Sequence, residues 1–202
     1  MHTYLALGDS YTIGEQVPLY DSFPYQLVQL LRKDGIKIHA PEIVAKTGWT
    51  SNELIDHIIH TKLLDHYDLV TLLIGVNNQY RKRPVDDFIP ELELLLTKAV
   101  RFAGGRPEHV IMLSIPDWGV TPFAKEKDAA EIATEIDLYN EACRNGAEAA
   151  GVHFIDITSG QRRNTDASYL AADGLHPSGK EYHAWAEKVQ KIVMEIKTLQ
   201  RH

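Results

Sequence analysis

Five short runs rich in Val, Ile and Leu alternate along the chain with longer segments in which apolar residues recur every three or four positions. The short runs, Tyr4 to Leu7, Ile38 to Ala45, Leu69 to Ile74, Val110 to Ile115 and Val152 to Ile157, predict strands. The longer segments, Ser22 to Asp34, Ser51 to Leu64, Asp86 to Phe102, Ala129 to Ala150 and Gly179 to Leu199, predict amphipathic helices. Thr50-Ser51-Asn52-Glu53 and Ser178-Gly179-Lys180-Glu181 both have the form of a capping box, which places two helix starts. Near-continuous apolar strands such as LVTLLIG suit a parallel sheet with helices on both faces. Five strand-then-helix units therefore predict an α/β protein of three layers, α/β/α, on a doubly wound five-stranded parallel sheet of order 2-1-3-4-5. Its ligand crevice lies at the carboxyl ends of strands 1 and 3. Ser10 ends strand 1, Asn77 follows strand 3 and Gly48 follows strand 2, so three distant points of the chain converge on one edge.

Composition narrows what such a crevice serves. A chain of 202 residues with 44% hydrophobic content has room for one buried core, and residues 1–202 read as one domain without repeat or linker. The formal net charge of -7 argues against nucleic acid or an anionic membrane surface as partner. Cys143 is the single cysteine, so no internal disulfide forms. It reads as a small core residue, and a reducing compartment is the simpler setting. The first strand begins almost at Thr3, where a signal peptide would stand, and no apolar run approaches the ~20 residues of a membrane span. The expectation is a cytoplasmic protein with no membrane insertion.

A serine hydroxyl is a weak nucleophile at neutral pH unless a base lies within hydrogen-bond reach and a third group orients that base. AADGLHPSG supplies Asp173 and His176 three positions apart, with Gly174 between them and Pro177 stiffening the exit. That spacing puts both groups on one turn. The long stretch from Thr158 to Ala172 gives the turn reach to return to the crevice, where YLALGDSYTIGE presents Ser10. Acyl transfer also needs donors aimed at the developing oxyanion. The Ser10 N–H, the Gly48 N–H in AKTGWTS and the Asn77 amide in LIGVNNQY are suited to that work.

GDSYTIGE, the glycine of KTGWTS, IGVNN and DGLHP stand in the order and at the approximate intervals of the four motif blocks of the SGNH hydrolases, the lipolytic G-D-S-L family. On those blocks, which span residues 8 to 177, the chain resembles that family, and SFPYQL with Pro24 is similar to the family's helix entry. The resemblance implies a flavodoxin-like fold with Ser10 as nucleophile and oxyanion donor. Gly48 and Asn77 would complete the oxyanion hole, and Asp173 and His176 the triad, with no metal and no cofactor. The third block of many members is G-x-N-D, whereas here Asn77 is followed by Asn78. The expected activity is hydrolysis of small or medium acyl esters of small molecules through an acyl-enzyme. Thioester, lysophospholipid and carbohydrate O-acetyl substrates stay open, as does a non-catalytic carbohydrate- or acyl-binding module on the same fold.

Other motifs compete less well. A phosphoacceptor role for Asp9 in a receiver-like module requires an aspartate after strand 3 and a lysine after strand 5, where the chain has Asn77-Asn78 and Asp156-Ile157-Thr158. An α/β-hydrolase elbow would read G-x-S-x-G, and a phosphate loop needs Gly-Lys-Ser/Thr; neither occurs. His57 and His60 point away from the apolar stripe of their helix and lack a third ligand, so they read as a solvated face. Arg81-Lys82-Arg83 reads either as a solvated loop or as a steering patch for an anionic substrate. Trp49, Asn78 and Trp118 are expected at the substrate pocket. Neither Asp117 to Lys127 nor Thr158 to Ala172 carries a continuous apolar face, so the pocket is expected to be shallow, bounded by Trp49, Trp118 or both, and suited to acetyl through roughly hexanoyl groups.

Overall fold

A computed structural model describes residues 1–164 and 166–200. In chain order, β1 (Tyr4–Gly8) is followed by the single turn α1 (Ser10–Ile13) and by α2 (Phe23–Lys33). β2 (Glu42–Ala45) leads to α3 (Ser51–His60), and β3 (Leu69–Leu73) to the short α4 (Val76–Tyr80) and then α5 (Val85–Phe102). β4 (Val110–Leu113) precedes α6 (Ala129–Ala150), while β5 (His153–Ile155) precedes α7 (Thr158–Arg163) and α8 (Gly179–Val193). All strand pairs are parallel and the order is β2-β1-β3-β4-β5, the doubly wound arrangement that the strand-helix alternation predicts.

α2 packs against α8, and α5 packs against α3 and α6, so the sheet has a helical layer on each side. Every residue of β1, β3 and β4 is buried, which is why these segments are nearly all apolar and do not alternate; the one threonine among them, Thr71, pairs its hydroxyl with the Tyr4 hydroxyl at 2.8 Å. On one side the core takes Phe23, Leu27 and Leu31 from α2 with Tyr182 and Trp185 from α8. On the other it takes Phe88, Leu92 and Leu95 from α5 with Ile136 and Cys143 from α6. Burial pushes the Cys143 thiol far above its ordinary pKa and leaves it an inert core residue.

The differences from the sequence reading have local causes. β2 starts at Glu42 and not at Ile38, because Pro41 offers no N–H to the ladder and Ile38 pairs only with His2 in an isolated bridge. α3 stops at His60, where the Thr61 hydroxyl donates to the His57 carbonyl at 2.8 Å and replaces the next helical bond. α8 stops at Val193, yet Ile196 and Leu199 remain buried because tighter turns, with Ile196 N–H on Val193 O and Leu199 N–H on Ile196 O, keep them on the same face. The Thr50 capping box forms, with the Thr50 N–H donating to Glu53 Oε2 at 2.8 Å. The Ser178 box does not. The Ser178 hydroxyl donates to the Ser168 carbonyl at 2.6 Å, and the buried Glu181 is occupied by Asn164 Nδ2 and Trp185 Nε1. The stretches expected to be irregular hold α7 and three 3₁₀ turns, at Trp118–Val120, Pro122–Ala124 and Ala167–Tyr169.

Candidate active site

Gly8 of β1 pairs with Leu73 of β3, so Ser10 and the Gly75-to-Tyr80 segment leave the sheet side by side. A Cβ on Gly8 would stand 2.4 Å from the Leu73 carbonyl oxygen and 2.1 Å from Thr12 Oγ1, so the strand can fold straight into α1 only without a side chain there. Asp9 then caps α1, its Oδ1 accepting the Tyr11 N–H at 3.0 Å. Ser10 is the first residue of that turn and is 4% exposed.

The other half of the site arrives from 166 residues away. Leu170 and Pro177 form an antiparallel bridge, reinforced by Ala171 N–H to His176 O at 2.8 Å and Ser178 N–H to Tyr169 O at 2.9 Å. This small clasp holds the turn between Ala171 and His176 rigid. Within it, Asp173 Oδ1 accepts the N–H groups of Leu175 and His176, each at 3.0 Å, while its Oδ2 meets His176 Nδ1 at 2.6 Å. The opposite ring nitrogen, Nε2, lies 3.1 Å from Ser10 Oγ. Partial burial pushes the Asp173 carboxyl up, but the hydrogen bonds from the His176 ring and the two backbone amides outweigh it and hold the group below its ordinary value. Asp173 is thus a carboxylate at neutral pH and an acceptor at both oxygens. The Tyr11 ring packs against the His176 imidazole with centroids 5.1 Å apart and is itself backed by Trp185.

Gly48 has φ +83° in the loop after β2, a backbone that a side chain would strain. The carbonyls of this loop are drawn outward: Gly48 O accepts Arg81 Nη2 at 2.6 Å and Trp49 O accepts Asn77 Nδ2 at 3.0 Å. Among the described residues neither the Gly48 N–H nor the Ser10 N–H has an acceptor. Asn77 Nδ2 also faces Asp9 Oδ2 at 3.3 Å. The structure therefore brings Ser10, His176, Asp173, Gly48 and Asn77 to one place.

Asp9 is completely buried one residue before the serine. Burial raises its carboxyl to about 7 against the pull of the Tyr11 N–H and the Asn77 amide. From the unfolded value of ~3.9 up to about 7 only the folded protein holds this proton. Stability therefore falls as pH rises through that window and levels off above it. Urea unfolding at about pH 5 and about pH 8 is expected to show a loss of roughly 3 kcal/mol from this group, and Asp9→Asn is expected to remove that part of the slope. Equal slopes in the two proteins would mean that Asp9 is ionised throughout.

Over Ser10 lies a cavity of about 180 Å³ walled by Tyr11, Val76, Tyr80, Trp118, Phe123 and Leu175. Of the three residues expected at the pocket, only Trp118 lines it. Trp49 turns to the outer side of the Gly48 loop and packs on His57 at 4.7 Å. Asn78 is fully buried and holds the start of α3, taking the Ser51 N–H on Oδ1 at 3.0 Å and donating Nδ2 to Ser51 Oγ at 2.6 Å. Nor is the basic cluster free to steer an anion. Arg81 grips Gly48 O and Glu53, Lys82 meets Glu135 at 3.0 Å and Arg83 meets Glu91 at 2.6 Å. Among the described residues no three His, Cys, Asp or Glu side chains gather as metal ligands, and His57 and His60 stand on the exposed face. The Asp117-to-Lys127 stretch is more apolar at the pocket than its sequence suggests, with Trp118 as wall and Phe123 exposed at the rim. Sequence reading missed Tyr11, Tyr80 and Phe123; Tyr80 had a signal, since it lies three residues after Asn77 on the same helical turn.

The sequence model of the GDSL-like lipase/acylhydrolase family matches residues 6–184. The chain belongs to this family. Among solved structures it is similar to a lipase/acylhydrolase from Enterococcus faecalis, with 20% identity, a TM-score of 0.75 and coverage of 96% of each chain. It is also similar to the acetylxylan esterase Axe2 from Geobacillus stearothermophilus, with 18% identity, TM-score 0.73 and coverage of 95% of this chain and 94% of that one. The psychrotrophic esterase EstA from Pseudoalteromonas sp. aligns over 98% of this chain and 100% of its own, with 15% identity and TM-score 0.70. At such identities the likeness is one of fold. No curated protein sequence matches the chain. As a GDSL-family protein it departs from the common third block at Asn78, and the neutral amide has a local use: it both donates to and accepts from Ser51, which a carboxylate cannot do.

Proposed function

We propose that the protein is a serine ester hydrolase that cleaves small or medium acyl esters through an acyl-enzyme, without metal or organic cofactor. The observation that carries this reading is the continuous line from Asp173 Oδ2 to His176 Nδ1 at 2.6 Å and from His176 Nε2 to Ser10 Oγ at 3.1 Å. Ser10 Oγ attacks the ester carbonyl carbon as its proton passes to His176 Nε2. The imidazolium returns that proton to the departing alkoxide when the tetrahedral intermediate collapses. Water then attacks the acyl-enzyme, giving its proton to His176, and the carboxylic acid leaves as Ser10 recovers its hydrogen. Asp173 keeps the Nδ1 proton in place throughout and balances the charge on the ring.

Negative charge on the carbonyl oxygen falls to the Ser10 and Gly48 N–H groups and to Asn77. Of the two contacts that Asn77 makes, the longer one, to Asp9 at 3.3 Å, is the one that the oxyanion displaces. Asn77→Ala is expected to lower kcat about 10²–10³-fold with little change in KM, since the amide serves the oxyanion more than the ground-state carbonyl. A change in KM alone would make Asn77 a substrate-binding residue. The reading as a whole is tested with a fluorophosphonate and intact-mass detection. Stoichiometric labelling of the folded protein at Ser10, blocked by p-nitrophenyl acetate turnover, supports it. An unlabelled protein without turnover on any ester would leave a binding module.

A further inference from the structure

We propose that Gln79 sets acyl-chain selectivity by locking the Trp118 indole as a fixed wall of the pocket. The proposal rests on the ester-hydrolase reading and adds to it a positioning residue that touches no substrate. Gln79 sits on α4 two residues after Asn77, is 1% exposed and does not line the cavity over Ser10. Its Oε1 accepts Trp118 Nε1 at 2.7 Å and its Nε2 donates to Glu135 Oε2 at 2.6 Å. An indole nitrogen only donates and a carboxylate only accepts, so this amide has one orientation and cannot flip. Glu135 is fixed in turn by Lys82 Nζ, 3.0 and 3.1 Å from its two oxygens. Lys82, Glu135, Gln79 and Trp118 thus form a relay from the outside of α6 to the pocket wall.

The ring needs this relay. Trp118 stands on a 3₁₀ turn, and its ring neighbours at the pocket, Tyr80 at 5.2 Å and Phe123 at 6.1 Å, meet it edge-on and are themselves about half exposed. Edge contacts with half-exposed rim residues orient an indole less strictly than a directed N–H bond to a buried acceptor does. Without Gln79 the buried N–H is left unpaired and the ring turns to find water, which opens or fills a cavity of only about 180 Å³. On this proposal an acetyl group, held at Ser10 and the oxyanion donors, is too short to depend on how that wall is turned. A hexanoyl chain extends further into the cavity that Trp118 lines, and loses the cover of its outer methylenes when the ring turns.

The test is the ratio of kcat/KM for p-nitrophenyl hexanoate to that for the acetate. Gln79→Leu is expected to lower this ratio about tenfold while acetate hydrolysis changes by less than about threefold. Gln79→Glu alone, measured at a pH high enough that neither it nor Glu135 holds a proton, sets two carboxylates against each other and is expected to do the same. Gln79→Glu combined with Glu135→Gln reverses the polarity of one link, restores donor to acceptor along the relay, and is expected to recover the wild-type ratio. The Trp118 indole N–H resonance, assigned with Trp118→Phe, should shift in both single variants and return in the double. A Gln79→Leu protein in which both esters slow equally has lost general structure, and that result overturns the proposal. So does a folded double variant that keeps the altered ratio. Should Gln79→Leu fail to fold, the single and double exchange variants decide. A wild-type protein inactive on every ester overturns the hydrolase reading itself, which separates that failure from the failure of Gln79 alone.

Discussion

A Ser10→Ala protein is expected to fold as the wild type does and to lose ester hydrolysis by about 10⁴-fold or more. The fold should survive because the Ser10 hydroxyl has one partner, His176 Nε2, and contributes nothing to the sheet or to the capping of α1, which Asp9 performs. Alanine is also a good residue for the first position of a helical turn. Activity should fail because no other hydroxyl stands within hydrogen-bond distance of His176 among the described residues. The measurement pairs circular-dichroism melting with p-nitrophenyl acetate turnover and fluorophosphonate labelling. A protein with an unchanged melting curve and undiminished turnover would remove Ser10 from the mechanism.

Asp173→Asn should come close to it, with kcat down about 10⁴-fold. The two backbone amides of Leu175 and His176 that now point at Oδ1 will select the amide oxygen of asparagine for that position. Its NH₂ is then left facing His176 Nδ1 across the 2.6 Å contact. Only a ring with an unprotonated Nδ1 accepts that arrangement, and such a ring carries its proton on Nε2, where it cannot take the proton of Ser10. The substitution therefore preserves the clasp and inverts the tautomer. Nitrogen-15 shifts of His176 should show the exchange of protonated nitrogens. A variant with the wild-type tautomer and wild-type kcat would show that Asp173 only shapes its turn.

Much of the architecture was legible because its causes are local or periodic. Runs such as LVTLLIG suit a sheet covered on both faces, and their alternation with helices selects a parallel one and leaves few ways to wind it. The sheet in turn decides which sequence-distant residues meet, so Ser10, Gly48 and Asn77 could be expected on one edge before any distance was known. What escaped was decided by competition between partners. Ser178 and Glu181 have the right identities for a capping box, but the carbonyl of Ser168 and the groups of Asn164 and Trp185 claim them. Asn78 and Trp49 border pocket residues in sequence and turn away from the pocket in space. A helical turn sends neighbours about 100° apart, and the Gly48 loop faces two sides. The pocket wall Phe123 has no periodicity to announce it, since it belongs to a single short turn, and Tyr80 is announced only by its spacing of three from Asn77.

α4 is five residues long and reaches most of the site. Asn77 serves the Gly48 loop and the Ser10 turn, Asn78 holds the head of α3, Gln79 holds Trp118, and Tyr80 stands at the rim. Rate and taste are therefore written in adjacent letters. Under the proposed reading, a shift of this turn's backbone carries the oxyanion donor and the support of the wall together, whereas a side-chain exchange at Gln79 leaves Asn77 in place. VNNQY is thus one lever under two loads, and only a change confined to a side chain separates them.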